Sequence, residues 1–248
     1  MHTDTNSAHL QKVAYIIGVS LIIGLAILGV NINQSRQSDT ITVTGSVKKA
    51  VAADLGIWRA TLLLNSGVYD AKDQLEVLAQ QSQKVKAYAV SVGFTSENIN
   101  VAPPQTTITF EQLPNYQQSQ KPIGYTLRQT ITITSNDVPK IAELALAQSI
   151  LIGRGLTFES ASVEYHYSKL AELRPELFAA ATKDAKTRAE AIAVGTGNHI
   201  GPLRSARTGV IQVLAPHSND ISDYGTYDLS TQQKEVSAVV TASFELKN

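Results

Sequence analysis

The sequence predicts an α+β fold with largely antiparallel sheets and helices packed on one face, preceded by one N-terminal transmembrane helix. Three observations lead there. An uncharged apolar run, Val13 to Ile32 (VAYIIGVSLIIGLAILGVNI), follows a short polar tail. Beyond it, stretches of period-two alternation come next to one another, and single stretches of three-to-four-residue period separate them. Neighbouring strands between lone helices favour antiparallel pairing over a doubly wound parallel sheet.

The apolar run sets the organisation. Twenty residues of helix rise ~30 Å, the thickness of a bilayer's hydrocarbon core. The run exceeds the apolar core of an ordinary cleaved signal, and its one A-x-A-like triplet, Gly24-Leu25-Ala26, lies well inside it. It reads as an anchor retained in the mature chain, with a cleaved secretory signal as the alternative. The expected organisation is therefore a tail over 1–12, a transmembrane anchor or uncleaved signal over 13–32, a polar linker over 33–40 and a folded domain over 41–248. Lys12 precedes the run while Arg36, Lys48 and Lys49 follow it, so flanking charge alone leaves the orientation open.

The folded part opens with Ile41-Thr42-Val43-Thr44-Gly45, a short alternating strand closed by glycine, and Gly56 to Leu64 alternates as a second. From Val68 to Val92, Ala71, Leu75, Leu78, Ser82, Val85 and Ala89 recur at helical spacing, and Gly93 ends the helix. Phe94 to Val101 returns to extended chain, Pro103-Pro104 interrupts it, and Gln105 to Gln112 resumes with Ile108 and Phe110 on one face. Leu113 to Pro122 reads as a Gln-rich loop. Gly124 to Thr134 sets Tyr125, Leu127, Ile131 and Ile133 against a row of threonines, the pattern of a half-exposed strand.

Ser135-Asn136-Asp137 offers capping side chains and Pro139 suits a first turn, so a second helix runs from there to Gly153-Arg154-Gly155. Leu156 and Phe158 fall in one phase but Ala161, Val163, Tyr165 and Tyr167 in the other. A period-two strand changes faces only through an extra residue, which predicts a bulge near Glu159 or Ser160. Leu170 to Val194 forms a third helix with Ala181, Ala185, Ala189 and Ala193 on its packing face, and with i,i+4 pairs Asp184/Arg188 and Lys186/Glu190. A strand over Leu203 to Leu214, a polar loop over Pro216 to Gln233 and a regularly alternating strand from Val236 to Leu246 complete the chain.

Composition narrows the function classes. The 21 basic residues balance the 21 acidic ones, which argues against nucleic acid as a partner. No cysteine means no disulfide framework, thiolate metal site or thiol nucleophile. The five histidines (His2, His9, His166, His199 and His217) have no metal-ligand spacing. His166 shares the polar side of its strand with Ser162, Glu164 and Ser168, but a triad needs groups converging from separated segments and an oxyanion hole. Both Gly-x-Gly triplets follow helices, whereas phosphate-binding loops follow a strand and open a helix. Asp220, Asp223 and Asp228 lack the spacing of a calcium loop, and Tyr224 and Tyr227 beside them suit an interface. The reading is thus no catalytic residue, no cofactor and no metal.

Ile41-Thr42-Val43-Thr44-Gly45, Asp54 ahead of a strand, and Gly124-Tyr125 opening a strand that ends in Asp137 resemble the SIMPL-domain proteins. The alanine-rich stretch Ala179 to Ala193 (AAATKDAKTRAEAIA), followed by Gly195 and Ile200-Gly201, is similar to that family's helix with its Lys/Arg-x-x-Ala-Glu pattern. The resemblance spans Thr40 to Asn248. It implies an α+β fold, a periplasmic or envelope location and an amino terminus on the inner side. It also implies large closed homo-oligomers, ring or cage, in some bacterial members, and a loose link to envelope or oxidative stress. It carries over no catalytic residue.

The resulting expectation is a non-enzymatic protein held in the cytoplasmic membrane by 13–32, with a periplasmic domain whose partner is itself. Two other classes remain. One is a small-ligand or peptide binding module covered by the 113–122 or last loop; the other is an envelope hydrolase or redox-stress enzyme using His166, Glu164 or a loop carboxylate.

Overall fold

The computed structural model describes residues 18–22, 39–114, 118–218 and 224–247. It is α+β with antiparallel sheets. The strands are β1 (Thr40–Ala52), β2 (Leu55–Gly67), β3 (Ile99–Val101), β4 (Gln105–Gln112), β5 (Gln118–Ser135), β6 (Phe158–His166), β7 (His199–Thr208), β8 (Gln212–Leu214) and β9 (Gln233–Lys247). The helices are α1 (Ala71–Ser91), α2 (Val138–Leu146), α3 (Gln148–Gly153) and α4 (Leu170–Gly195). Contacts divide the chain into two compact units, one of Met1–Ser46, Phe178–Gly209 and Val239–Asn248, the other of Val47–Leu177 and Val210–Ala238.

The larger unit is built on β2. This strand pairs antiparallel with β5 from Gly56↔Ser135 to Gly67↔Gly124, and with β6 from Leu55↔His166 to Leu62↔Phe158. Its even-numbered residues Trp58, Ala60 and Leu62 are buried in one cluster with Leu127, Ile131 and Ile133 of β5, Leu78, Val85 and Ala89 of α1, and Ile141 and Leu144 of α2. The helices therefore cover that face. The other face carries Arg59 and Thr61 with the threonines of β5, and the hydroxyls of Thr61 and Thr130 meet at 3.1 Å. Alternation of apolar and polar side chains assigns these two faces.

The predicted bulge is present. Ser160 pairs with Thr61 but Phe158 with Leu62, so Glu159 is the extra residue that moves Phe158 into the buried phase. Glu159 points to solvent-side partners, accepting from Arg128 Nε at 2.9 and 2.8 Å through its two oxygens. Asp137 caps α2 by accepting from the Lys140 amide at 3.2 Å, with Pro139 in the first turn. The single helix expected there is two, because Ala147 separates α2 from α3. Phe94 to Val101 is not extended throughout: Ser96–Asn98 forms a 3-10 turn before β3, closed by reciprocal Thr95 and Asn98 bonds.

In the smaller unit, the 41–46, 199–208 and 239–247 parts of β1, β7 and β9 form the sheet, with β9 between the other two. β7 pairs antiparallel with β9. Thr42 meets Ser243 at 2.7 Å and Thr44 meets Thr241 at 3.2 Å, the falling register of an antiparallel β1–β9 pair. Val43, Ala185, Ala189, Ala242 and Phe244 form its core. Alanine on α4 allows the helix backbone to lie close to the sheet. At Gly45 the approach is so tight that a Cβ would stand 2.2 Å from the Ala181 carbonyl oxygen. Gly45 therefore does not close the first strand, which runs on to Ala52; it makes room for the helix. Both predicted α4 pairs form, Arg188 to Asp184 at 2.9 Å and Lys186 to Glu190 at 3.7 Å.

Two other expectations change. The strand expected over 203–214 is two, since β7 ends at Thr208 and β8 begins at Gln212. Of the expected anchor, only 18–22 is described, as exposed helix; the rest of 13–32 lies outside the described residues. No helix among the described residues is long and apolar enough to cross a membrane.

Candidate assembly edges and the polar clusters beside them

β5 is eighteen residues long, and its first residues run beyond the neighbouring strand β2. β2 accompanies it only as far as Gly124, where the two backbones come so close that a Cβ on Gly124 would lie 2.0 Å from the Ser66 carbonyl oxygen. Before Gly124, β5 has only β4 beside it, with Phe110↔Pro122 and Gln112↔Gln118 in irregular register. The residues expected as a Gln-rich loop thus belong in part to a ribbon: 118–122 is strand, and 115–117 lies outside the described residues. Pro122 is tolerated because β2 never reaches it.

All of Gln105 to Thr109 is exposed although it is paired strand, and Ile108 and Ile123 are each about half exposed (49% and 48%). A two-stranded ribbon of this kind has little intrinsic stability in water and presents open strand edges, the longer one on the outer side of β4. Leu113 adds a third exposed apolar side chain near its tip.

The opposite edge of the same sheet, β6, is treated differently. Segment 226–232 lies along the end of it, with Tyr165 N–H donating to the Leu229 carbonyl at 2.8 Å. The Tyr227 hydroxyl accepts from the Tyr167 amide at 2.9 Å and donates to the Tyr167 carbonyl at 3.0 Å. On its other side the segment joins β8, where Val213 N–H reaches the Thr226 carbonyl at 2.8 Å and Asp228 N–H reaches the Val213 carbonyl at 2.7 Å. Covering an edge with a fixed segment is a standard defence against unwanted pairing.

A buried ion pair fixes that segment. Lys234 continues the inward phase of Val236 and Ala238, and its side chain has no exposed surface. Its ammonium donates to the Asp228 carbonyl at 2.6 Å and to Asp228 Oδ2 at 3.1 Å. The same carboxylate accepts from the backbone and hydroxyl groups of Ser230 and Thr231. Desolvation raises the Asp228 carboxyl, but the bonds from Ser230, Thr231 and Lys234 outweigh it and hold the group well below the usual carboxylate range. The sequence grouped Asp228 with Asp220 and Asp223. Those two lie outside the described residues, and no cluster able to hold a metal occurs among the described ones. The available signals were the D-x-S-T spacing of an Asx-type turn and a lysine in the inward register, which requires a buried partner.

His166 stands 3.3 Å from Glu164 Oε2, whose other oxygen accepts from Arg59 at 3.0 Å. Ser168 turns away from this group: its amide and hydroxyl donate to Asp54 at 2.7 and 2.9 Å. The Asn136 side chain donates to the Asp54 carbonyl at 2.9 Å. Asp54 and Asn136 thus tie together the starts of β2, α2 and α4. His199 opens β7 opposite Lys247. Gly153 and Gly195 each end a helix, as their spacing suggested.

The motif residues quoted from the sequence fall at these structural joints: Gly45 under α4, Gly124 against β2, Asp54 at its junction and Asp137 at its cap. A family model described as SIMPL, protein of unknown function (DUF541), matches residues 41–244. The chain belongs to the SIMPL family. The match runs through parts of both compact units and ends before the last residues of β9. Among curated proteins, no significant match is found.

Proposed function

We propose that this SIMPL protein is a non-enzymatic envelope protein that assembles with copies of itself into a closed ring or cage. In this reading residues 13–32 form a single transmembrane helix, amino terminus inside, and the domain faces the periplasm. The observation that carries self-assembly is the β4–β5 ribbon, which outruns its sheet and exposes a strand edge together with Ile108 and Ile123. The end of the β6 edge of the same sheet is covered and pinned, while the ribbon edge is left open; such a difference favours a partner for the open edge. A second copy is a suitable partner because β4 can pair with its own symmetry mate across a two-fold axis; that contact closes at two copies, and a second contact between such pairs completes the ring or cage.

Anchoring strengthens the argument. Domains tethered to one membrane meet at high effective concentration, so weak edge pairing becomes sufficient for a closed particle. A role in envelope or oxidative stress belongs to the same proposal and rests on the family resemblance alone.

Light scattering on the full-length chain in mild nonionic detergent tests this reading. A discrete particle of many subunits is expected after correction for bound detergent. A monomer across the accessible concentration range would overturn it.

A further inference from the structure

The helix-covered face of the larger unit carries two recesses, and Tyr88 of α1 lines both. One also has Lys140, Glu143, Val92 and Leu144 on its walls, so it pairs a cation with an anion. Its lysine is already engaged, 3.3 Å from the Gly93 carbonyl and 5.7 Å over the Phe94 ring. The other recess, about 330 Å³, is different in kind. Leu151 and Leu156, both buried core residues, floor it with Ala87, and Lys84 and Arg154 stand at its rim. No carboxylate lines it.

The two cations are unneutralised. Neither Lys84 nor Arg154 takes part in an ion pair among the described residues, in a chain whose formal charges balance overall. Arg154 lies over Tyr88, with its guanidinium carbon 5.3 Å from the ring centroid. Stacking orients a guanidinium while leaving its N–H edge for a planar anion, which it can bind in a fork. An apolar floor beside a preset anion-binding edge is complementary to one class of ligand.

We propose that this recess binds a single-chain amphiphile with an anionic head, of the medium-chain carboxylate type, taken up as a free monomer. The carboxylate sits between Arg154 and Lys84, and the alkyl tail lies on Leu151, Leu156 and Ala87. The recess is at the small end of ligand pockets, which suits one tail rather than two. A bilayer surface cannot enter a concavity, so the recess suits a free monomer.

The test uses the full-length chain in phosphatidylcholine nanodiscs and a decanoate probe bearing a photoreactive diazirine, with adducts mapped by mass spectrometry. Adducts concentrate in 84–91 and 151–156, and excess decanoate suppresses them at least tenfold while decanol and acetate do not. K84E/R154E removes the adducts at an unchanged unfolding midpoint, since both side chains are exposed; A87W, which fills the recess and keeps the charges, removes them too. Three results would overturn the proposal: adducts that survive both variants, decanol competing as well as decanoate, or suppression by phosphatidylglycerol in the nanodisc but not by free decanoate.

Discussion

The ammonium of Lys234 lies 2.6 Å from the backbone carbonyl of Asp228 and 3.1 Å from its carboxylate, with no surface of the lysine side chain open to water. Removing one charge strands the other. Asp228→Asn leaves a buried ammonium facing an amide and should destabilise the chain by about 3 kcal/mol, whereas adding Lys234→Met should restore part of the loss. Urea denaturation of the three variants at neutral pH measures both effects.

The same pair predicts a pH dependence. The Asp228 carboxyl is held below its ordinary value in the folded chain, so its contribution is complete above the unfolded-state value of about 3.9 and is lost as pH falls toward the folded value. Wild type should therefore lose more stability than Asp228→Asn on going from pH 5 to pH 2. Parallel loss in the two proteins would show that Asp228 is not the group responsible.

Two glycines should respond in opposite directions to the same substitution. Gly45→Ala drives a methyl group to 2.2 Å from the Ala181 carbonyl, and α4 must move, at a cost on the order of 2 kcal/mol. Gly153→Ala meets nothing within 4 Å at the end of α3 and should stabilise by up to about 1 kcal/mol. Thermal unfolding midpoints distinguish them.

Deleting Glu159 should be far more harmful than truncating it. Without the extra residue Phe158 faces the wrong side of the sheet, or every residue from Ser160 onward does. Glu159→Ala keeps the bulge and loses only an exposed bond to Arg128, so its circular dichroism and midpoint should stay close to wild type while the deletion loses cooperative unfolding.

The chain has no cysteine, so a single one is a clean reporter of self-pairing. Thr107→Cys on the open β4 edge should form disulfide-linked dimers under mild oxidation in membranes; Gln83→Cys on exposed α1 surface should not. Equal cross-linking at both positions would indicate random collision.

Elements whose signal is local were legible in the sequence. The alternation of β2, β5 and β9, the period of α1 and α4, the Asp137 cap and the phase change at Glu159 each follow from residues close in the chain. What escaped depends on distant partners. Residues 118–122 look like a loop because Pro122 and two glutamines are poor strand formers, yet β4 supplies the pairing that makes them strand. Lys234 looks like the end of a polar loop until Asp228 is seen to accept its charge. Ala147 divides α2 from α3 with no glycine or proline to announce it. The recess of Lys84 and Arg154 joins α1 to the end of α3, segments far apart in the chain and beyond the reach of any periodicity.

The central claim is that the open ribbon edge holds copies together, and one comparison tests it most directly. Full-length wild type and Ile108→Lys/Ile123→Lys are purified in the same mild detergent, and their masses measured by light scattering beside their unfolding midpoints. Both isoleucines are about half exposed, so the fold should tolerate the change. A discrete multi-subunit particle for wild type and a species of much lower mass but equal midpoint for the variant is the predicted result. The same mass for both proteins would contradict the account.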